Sequence, residues 1–380
     1  MKKSVNLTNF PLDIDTLLSV LNYLNVGVYI TDKNRKIMLW NREAERITGY
    51  KSEEVVGKAC HEDILNHKDK NGQRLCTTKF CPLYRSIKTG VSSRETALLY
   101  ARTNDNNRIA VSVNVAPLRN DEGDIIGGIE IFQDETKSIT DLEFARQIQK
   151  SLLPTSLPQS DHVLFNVRYF PHDLVGGDFY DLHEPSPGCY GILVADVRGH
   201  GVSAALYTMW LQSLGKRLLE TADTPADFMM AINKELCTSL VHGTFITLFY
   251  GIFDTKKGEL IYSNAGHTPP LYLKGNQKNS EYFQTNISGP PLGIIEDQNY
   301  DNESLSLAAG DILLCYTDGV TETFMPDGEL LGIDGLGSIF LKEAIKTGDC
   351  LLDRLHQSVL NKNADISFND DVLLLSMEVV

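Results

Sequence analysis

The chain has 380 residues, 42% of them hydrophobic, and a formal charge of −15 at pH 7. That length predicts two domains or slightly more, and the charge speaks against nucleic acid as a general partner, because a phosphate backbone is bound mainly by cationic surface. No apolar run approaches the ~18 residues of a membrane span and MKKSVNLTNFPLDID lacks the apolar core of a signal peptide, so the expectation is a cytoplasmic protein with no membrane partner.

From about Leu17 to Asp134, short alternating segments (VGVYITD, KIMLWN, RIAVSVNVAPL, GGIEIFQD) surround a helical centre and are separated by the turn signals DKN, NDNN and NDEGD. This pattern predicts an α+β domain. The segment GVYITDKNRKIMLWNREAERITGYKSEEVVGK, with Asn41 and the spaced Gly49-Tyr50, Glu54 and Gly57, resembles the PAS sensor family, and the resemblance implies a sensor domain over residues 14–136. Domains of that family bind small ligands or cofactors, or simply pair.

Within it, CHEDILNHKDKNGQRLCTTKFCPL gathers Cys60, His61, His67, Cys76 and Cys81. Three thiols near histidines are a candidate zinc or iron–sulfur site, although no C-x-x-C is present; buried structural thiols are the competing reading, and haem on His61 or His67 a third. Seven cysteines without a secretory context point to reduced thiols, and Cys189, Cys237, Cys315 and Cys350 read as small buried hydrophobes.

Next, Ile139, Leu142, Ala145, Ile148 and Leu152 recur at spacings of 3, 3, 3 and 4, one stripe of a helix that Pro154 helps to stop. A connector helix is expected over residues 137–157. Because an isolated helix of this length is marginal in water, the stripe predicts a homodimer paired along it.

Over residues 158–380, strand candidates (LFNVRYF, YGILVAD, TFITLFYGIFD, ELIYSNAG, PLYLK, DILLCYTDG, DVLLLSMEVV) alternate with helical stretches at 203–220, 225–240 and 335–360, which suggests an α+β sheet sandwich. Here Gly199-His-Gly201-Val-Ser-Ala204 matches the dinucleotide pattern G-x-G-x-x-A between a strand and a helix. Asp196 argues against a nucleotide, since its carboxylate would face the pyrophosphate. The acidic residue sought about 20 positions later, Glu220, lies in a helical pattern and not at a strand end. An anion there calls for a cation. Further aspartates stand beside strand signals: Asp178 and Asp181, Asp318, Asp370 and Asp371. In a chain with 50 acidic residues each could be a solvated strand end, yet Gly176, Gly177 and Gly319 would admit an ion or substrate close to the backbone, and hard divalent cations take such oxygens.

The ordered set GGDFYD, ADVRGHGVSAAL, NAGH, PLG, YTDGVTE and DDVLLL, preceded by IQKSLLP, resembles the SpoIIE/RsbU-type branch of the PPM metal-dependent protein phosphatases. The resemblance implies a β-sandwich flanked by helices, with two Mn²⁺ or Mg²⁺ ions in its cleft. By motif, Asp196 would bridge both ions, Asp178 and the Val197 carbonyl would serve one, and Asp318 and Asp370 the other. Strand alternation separates the members of each pair, so Asp181 and Asp371 are expected behind the ligands or facing solvent. His200 would cap its loop or act as general acid, and Asn264 with His267 would stabilise a turn. Arg198 in place of the commoner Ser, and Leu373 in place of Thr, depart from the family without removing a proposed ligand. The implied function is a sensor-regulated phosphoserine/phosphothreonine protein phosphatase acting on a phosphorylated STAS-domain anti-anti-sigma factor in a partner-switching pathway. The alternative is a catalytically inactive phosphatase fold that only binds its phosphoprotein.

Overall fold

The computed structural model describes residues 13–380 apart from 63, 77–78, 94–95, 155, 242, 276–280, 327, 347–349, 362–367 and 369. It divides into two compact units, Met1–Asp141 and Leu142–Val380.

The first unit runs α1 (Ile14–Tyr23), β1 (Gly27–Asp32), β2 (Ile37–Trp40), α2 (Arg42–Thr48), α3 (Ser52–Val55), α4 (Pro82–Thr89), β3 (Ala97–Arg102), β4 (Arg108–Arg119) and β5 (Ile125–Asp134). Its antiparallel sheet has the order β2-β1-β5-β4-β3. Asn41 ties three elements together. Its Oδ1 accepts from Val28 N–H at 2.8 Å and from Ala44 N–H at 2.9 Å, which caps α2, while Nδ2 donates to the Leu21 and Val26 carbonyls. Tyr29, Trp40 and Phe132 pack in mutual contact at the centre of the core.

Helix α5 (Thr136–Leu152) lies over most of the stretch expected as a connector, 137–157, but ends at Leu152, and it crosses the division between the units. The residue it buries is Gln149, whereas Ile148 of the apolar stripe is exposed. The stripe is therefore only half-buried, and polar contacts hold the end of this helix.

The second unit comprises β6 (Val163–Phe170), β7 (Asp178–Ser186), β8 (Cys189–Val197), α6 (Val202–Leu219), α7 (Pro225–Ser239), β9 (Ile246–Asp254), β10 (Glu259–Ala265) and β11 (Leu271–Leu273). It continues with β12 (Phe283–Gln284), β13 (Glu303–Ser306), β14 (Ile312–Tyr316), α8 (Asp318–Thr321), α9 (Gly332–Ala344), α10 (Leu351–Asn361) and β15 (Val372–Val379). Two antiparallel sheets form, β13-β10-β9-β8-β7 and β12-β11-β14-β15-β6. Alternation sorts their side chains. Along β8, Tyr190, Ile192 and Val194 enter the core between the sheets with Leu313, Cys315, Leu373 and Leu375, while Leu193, Ala195 and Val197 face α6 and α7. The outer face of the second sheet is covered by α9 and α10. With both faces buried, at ~1.5–3 kcal/mol for each large apolar side chain, β8 is a rigid support for whatever its end carries. One helix was expected over 335–360; there are two, α9 and α10, and residues 347–349 of that stretch lie outside the described residues.

Candidate active site

Asp178, the first residue of β7, lies directly across from Asp196 near the end of β8. Both share the face of Tyr180, Leu182, Ile192 and Val194, so their carboxylates sit at the edge of the core between the sheets. The opposing sheet meets them there. Thr317, just beyond β14, donates its hydroxyl to Asp178 Oδ2 at 2.7 Å and accepts from Leu373 N–H at 2.9 Å. Asp318 follows at the start of α8, and Asp370 and Asp371 precede β15.

Because β15 starts only at Val372, alternation does not divide the last pair, and both side chains take part. Asp371 is buried and clamps the loop before β7, its carboxylate accepting from His172 N–H at 2.7 Å and from Gly177 N–H. Asp370 is half-buried and accepts from Asp371 N–H at 2.8 Å. Gly177 in turn accepts from Val197 N–H, and a Cβ on it would stand 3.0 Å from both the Val197 and the Gly199 carbonyl oxygens. A side chain there would crowd the carbonyl proposed as a ligand. Asp181 lies on the other face, where it bonds His183 Nδ1 at 3.0 Å, and does not join the group.

The electrostatics are those of crowded anions. Burial, followed by Asp318, Asp370, Asp371 and Glu322, pushes Asp196 up to about 8. Burial and then Asp196 raise Asp178 despite the Thr317 hydrogen bond, and burial with Glu322 and Asp370 brings Asp318 to about 6. Among the described residues no lysine or arginine forms an ion pair with Asp178, Asp196, Asp318, Asp370 or Asp371. A donor set of hard oxygens with no cation of its own fits Mn²⁺ or Mg²⁺.

Sequence reasoning missed several of these groups. Thr317 links the two sheets through a carboxylate. Gln149 of α5 accepts from Gly176 N–H at 3.1 Å and donates to the Gly176 carbonyl at 2.7 Å and to Thr208 Oγ1 at 2.9 Å, so the connector grips the loop leading into Asp178. IQKSLLP, the motif that contains Gln149, was the only signal of it. His200 is exposed, and its Nδ1 meets not a loop amide but Asp173 Oδ2, at 2.9 Å; that bond raises its pKa, with smaller contributions from Asp370 and Asp371. Asn264 and His267 form the expected turn, Oδ1 accepting from His267 N–H at 2.8 Å. Arg198 turns away to the Gly243 carbonyl, and Leu373 fills the core between the sheets.

Among the described residues, no three Cys, His, Asp or Glu side chains in either unit are gathered tightly enough to hold a metal ion in the arrangement seen. The surroundings separate the two cases. Cys60, Cys76 and Cys81 are buried and their thiols are pushed up, Cys76 to about 12, by burial first. Cys76 Sγ already accepts from His67 N–H. Such protonated thiols pack as small hydrophobes, so the zinc or iron–sulfur expectation is not supported. His67 instead sits 3.6 Å from Glu130, both buried, with Glu130 pushed up to about 8 and His67 down to about 4 by burial. Of the other four thiols only Cys315 is fully buried; Cys189, Cys237 and Cys350 are half-buried.

Comparison with known proteins finds matches for both parts of the chain. Residues 186–380 match the family described as Stage II sporulation protein E (SpoIIE), and residues 25–137 match the PAS domain. The chain is 28% identical over 243 residues to "Phosphoserine phosphatase RsbU" of Bacillus subtilis, covering 64% of this chain and 70% of that protein. It is 31% identical over 186 residues to "Phosphoserine phosphatase RsbP" of the same organism, covering 48% of this chain but only 45% of the relative. In fold it is similar to the SiaA-PP2C domain of Pseudomonas aeruginosa, with a TM-score of 0.55 at 24% identity, over 64% of this chain and 98% of that one. Asp196, Asp318 and Asp370 lie inside the matched region and Asp178 just ahead of it, and the chain therefore belongs to the SpoIIE family, with a PAS domain preceding the family's characteristic domain.

Proposed function

We propose that the chain is a PAS-regulated protein serine/threonine phosphatase that needs Mn²⁺ or Mg²⁺ and acts on a phosphorylated STAS-domain protein in a partner-switching pathway of the cytoplasm. The observation that carries this reading is the approach of Asp178, Asp196, Asp318 and Asp370 from two sheets, with no Lys or Arg among the described residues paired to them. Asp178, Asp196 and the Val197 carbonyl would hold one ion, and Asp196, Asp318 and Asp370 the other. Bound there, such ions neutralise phosphoryl charge and supply a nucleophile at neutral pH. Thr317 keeps Asp178 aimed at the site and favours its charged form. Asp371 holds the Gly176–Gly177 loop in place, which keeps the Val197 carbonyl open to the same side. The hydrogen bond to Asp173 raises the His200 pKa, which suits this side chain to hand a proton to the departing serine oxygen.

No described helix is long and apolar enough to cross a membrane. Pairing of two chains along α5, where Phe144 and Ile148 are exposed, would bring two sensors together. The test is hydrolysis of p-nitrophenyl phosphate and of a phosphorylated STAS protein across a Mn²⁺ titration, with Asp318→Asn as the control. Turnover that depends on the metal and is lost in the variant supports an enzyme; absence of turnover with every divalent ion would leave the binding-only alternative.

A further inference from the structure

The loop of residues 171–177 has two sides. One carries His172, Asp173 and Gly177, which engage Asp371 and His200. Against the other lies a cavity of about 260 Å³, walled by the end of α5 and by Leu153, Tyr169, Leu174 and Tyr180. This is small beside the ~300–1,000 Å³ of sites for drug-sized ligands, and its walls divide about evenly between polar and apolar groups.

Two cations line it, Arg146 and Lys150, one helical turn apart on the face that also presents Gln149. Among the described residues neither has an acidic or hydrogen-bonding side-chain partner, in a chain whose net charge is −15. Tyr169 forms the partition. It lines the cavity, and its buried hydroxyl, without a hydrogen-bond partner among the described residues, sits over Gly176 beside Asp371. Arg146 on one side and Asp371, Asp178 and Asp196 on the other all act on that hydroxyl.

We infer that this cavity binds a small organic anion with a flat or branched apolar body, and that its occupancy is coupled to ion binding at the carboxylates. The anionic end meets Arg146 and Lys150, and the body packs on Leu153, Leu174 and Tyr180. Whatever fills the cavity bears on the loop that Gln149 holds at Gly176 and Asp371 holds at His172 and Gly177, so the two sites share one movable element. By linkage each ligand must change the other's affinity by the same factor. Binding stands on the cavity alone; the coupling rests on the metal-dependent reading above.

The probe is naphthalene-1-sulfonate, with 1-naphthalenemethanol as its neutral counterpart, titrated calorimetrically into the full chain with EDTA and again with Mn²⁺. The expected result is one sulfonate per chain, bound at least tenfold more tightly than the alcohol. Arg146→Ala with Lys150→Ala, exposed changes that leave the core untouched, should weaken the sulfonate at least tenfold, and Leu174→Trp, which fills the cavity, should abolish binding. Absence of saturable binding, or binding that survives the double alanine variant, overturns the site. Equal sulfonate affinity with and without Mn²⁺ overturns the coupling. Calorimetry requires no turnover, so an inactive enzyme and an empty cavity give different results.

Discussion

Replacing Thr317 with Val keeps the shape of a fully buried side chain and removes one hydroxyl. In metal-free protein, where burial and then Asp196 push the Asp178 carboxyl well above the usual carboxylate range, the lost hydrogen bond to Oδ2 contributes ~1 kcal/mol. Leu373 N–H loses its acceptor and stays buried, at a cost of about 2 kcal/mol, while the added methyl recovers ~0.8 kcal/mol. The net loss is about 2 kcal/mol, or roughly 4–8 °C in the melting temperature of a unit of this size. When a cation is bound Asp178 must ionise, and the missing bond then joins a hydroxyl to a charge. That raises the loss by about 1 kcal/mol, which appears as roughly five- to tenfold weaker Mn²⁺ activation. The assays are thermal melting in EDTA and a Mn²⁺ titration of p-nitrophenyl phosphate hydrolysis, with Thr317→Ser, which keeps the hydroxyl, expected to stay close to wild type. A Thr317→Val protein that melts within 1 °C of wild type in EDTA and half-saturates at the same Mn²⁺ concentration would refute the role assigned to this residue.

Gly176→Ala would drive a Cβ into the Tyr169 hydroxyl, costing about 1–3 kcal/mol; adding Tyr169→Phe should restore part of it, a positive coupling that a double-mutant cycle of melting temperatures would read. In the sensor, Glu130 has a folded pKa near 8, far above its unfolded value, so the folded state binds the extra proton and stability is lost as pH rises from the ordinary carboxylate range through about 8. His67, lowered to about 4, has the opposite slope from about 4 to its ordinary 6.5, so above pH 6.5 only the Glu130 loss remains, at up to about 1.4 kcal/mol per pH unit. Glu130→Gln should flatten that decline in chemical denaturation followed at pH 6.5 and 8. Leu142→Asp with Ile148→Asp should convert a dimer to a monomer by light scattering and alter activity on the protein substrate; a variant still dimeric with wild-type activity would make α5 a passive tether.

Asp178, Asp196 and Asp318 were legible in the sequence because each adjoins a strand signal and a glycine, or ends an apolar run, a local pattern of burial and close approach. The sandwich was legible for the same reason, since β8 and β15 read as apolar runs buried on both faces. The Asp370–Asp371 pair was harder to read, because alternation holds only within a strand and β15 begins one residue later. Thr317, Gln149 and Asp173 owe their roles to partners 139, 27 and 27 residues away, and nothing in their neighbourhood announces such contacts. The cysteines misled because proximity in sequence says nothing of whether thiols will be charged, and burial decided that.

The carboxylates come half from one sheet and half from the other, with Thr317 to Asp178 as the hydroxyl spanning the gap. The distance across the site is thus set by the thickness of the hydrocarbon between the sheets, much as a caliper's opening is set by whatever lies between its jaws. Leu313, Leu375 and Met377 touch no ligand, yet they are part of that thickness. Trimming one of them by a methyl group should alter the gap between the carboxylates, which on the proposed reading an ion would bridge, while leaving the chain folded. Variants scattered through this interior should therefore present as metal-requirement phenotypes, and a screen for lost activity would collect them alongside the aspartates.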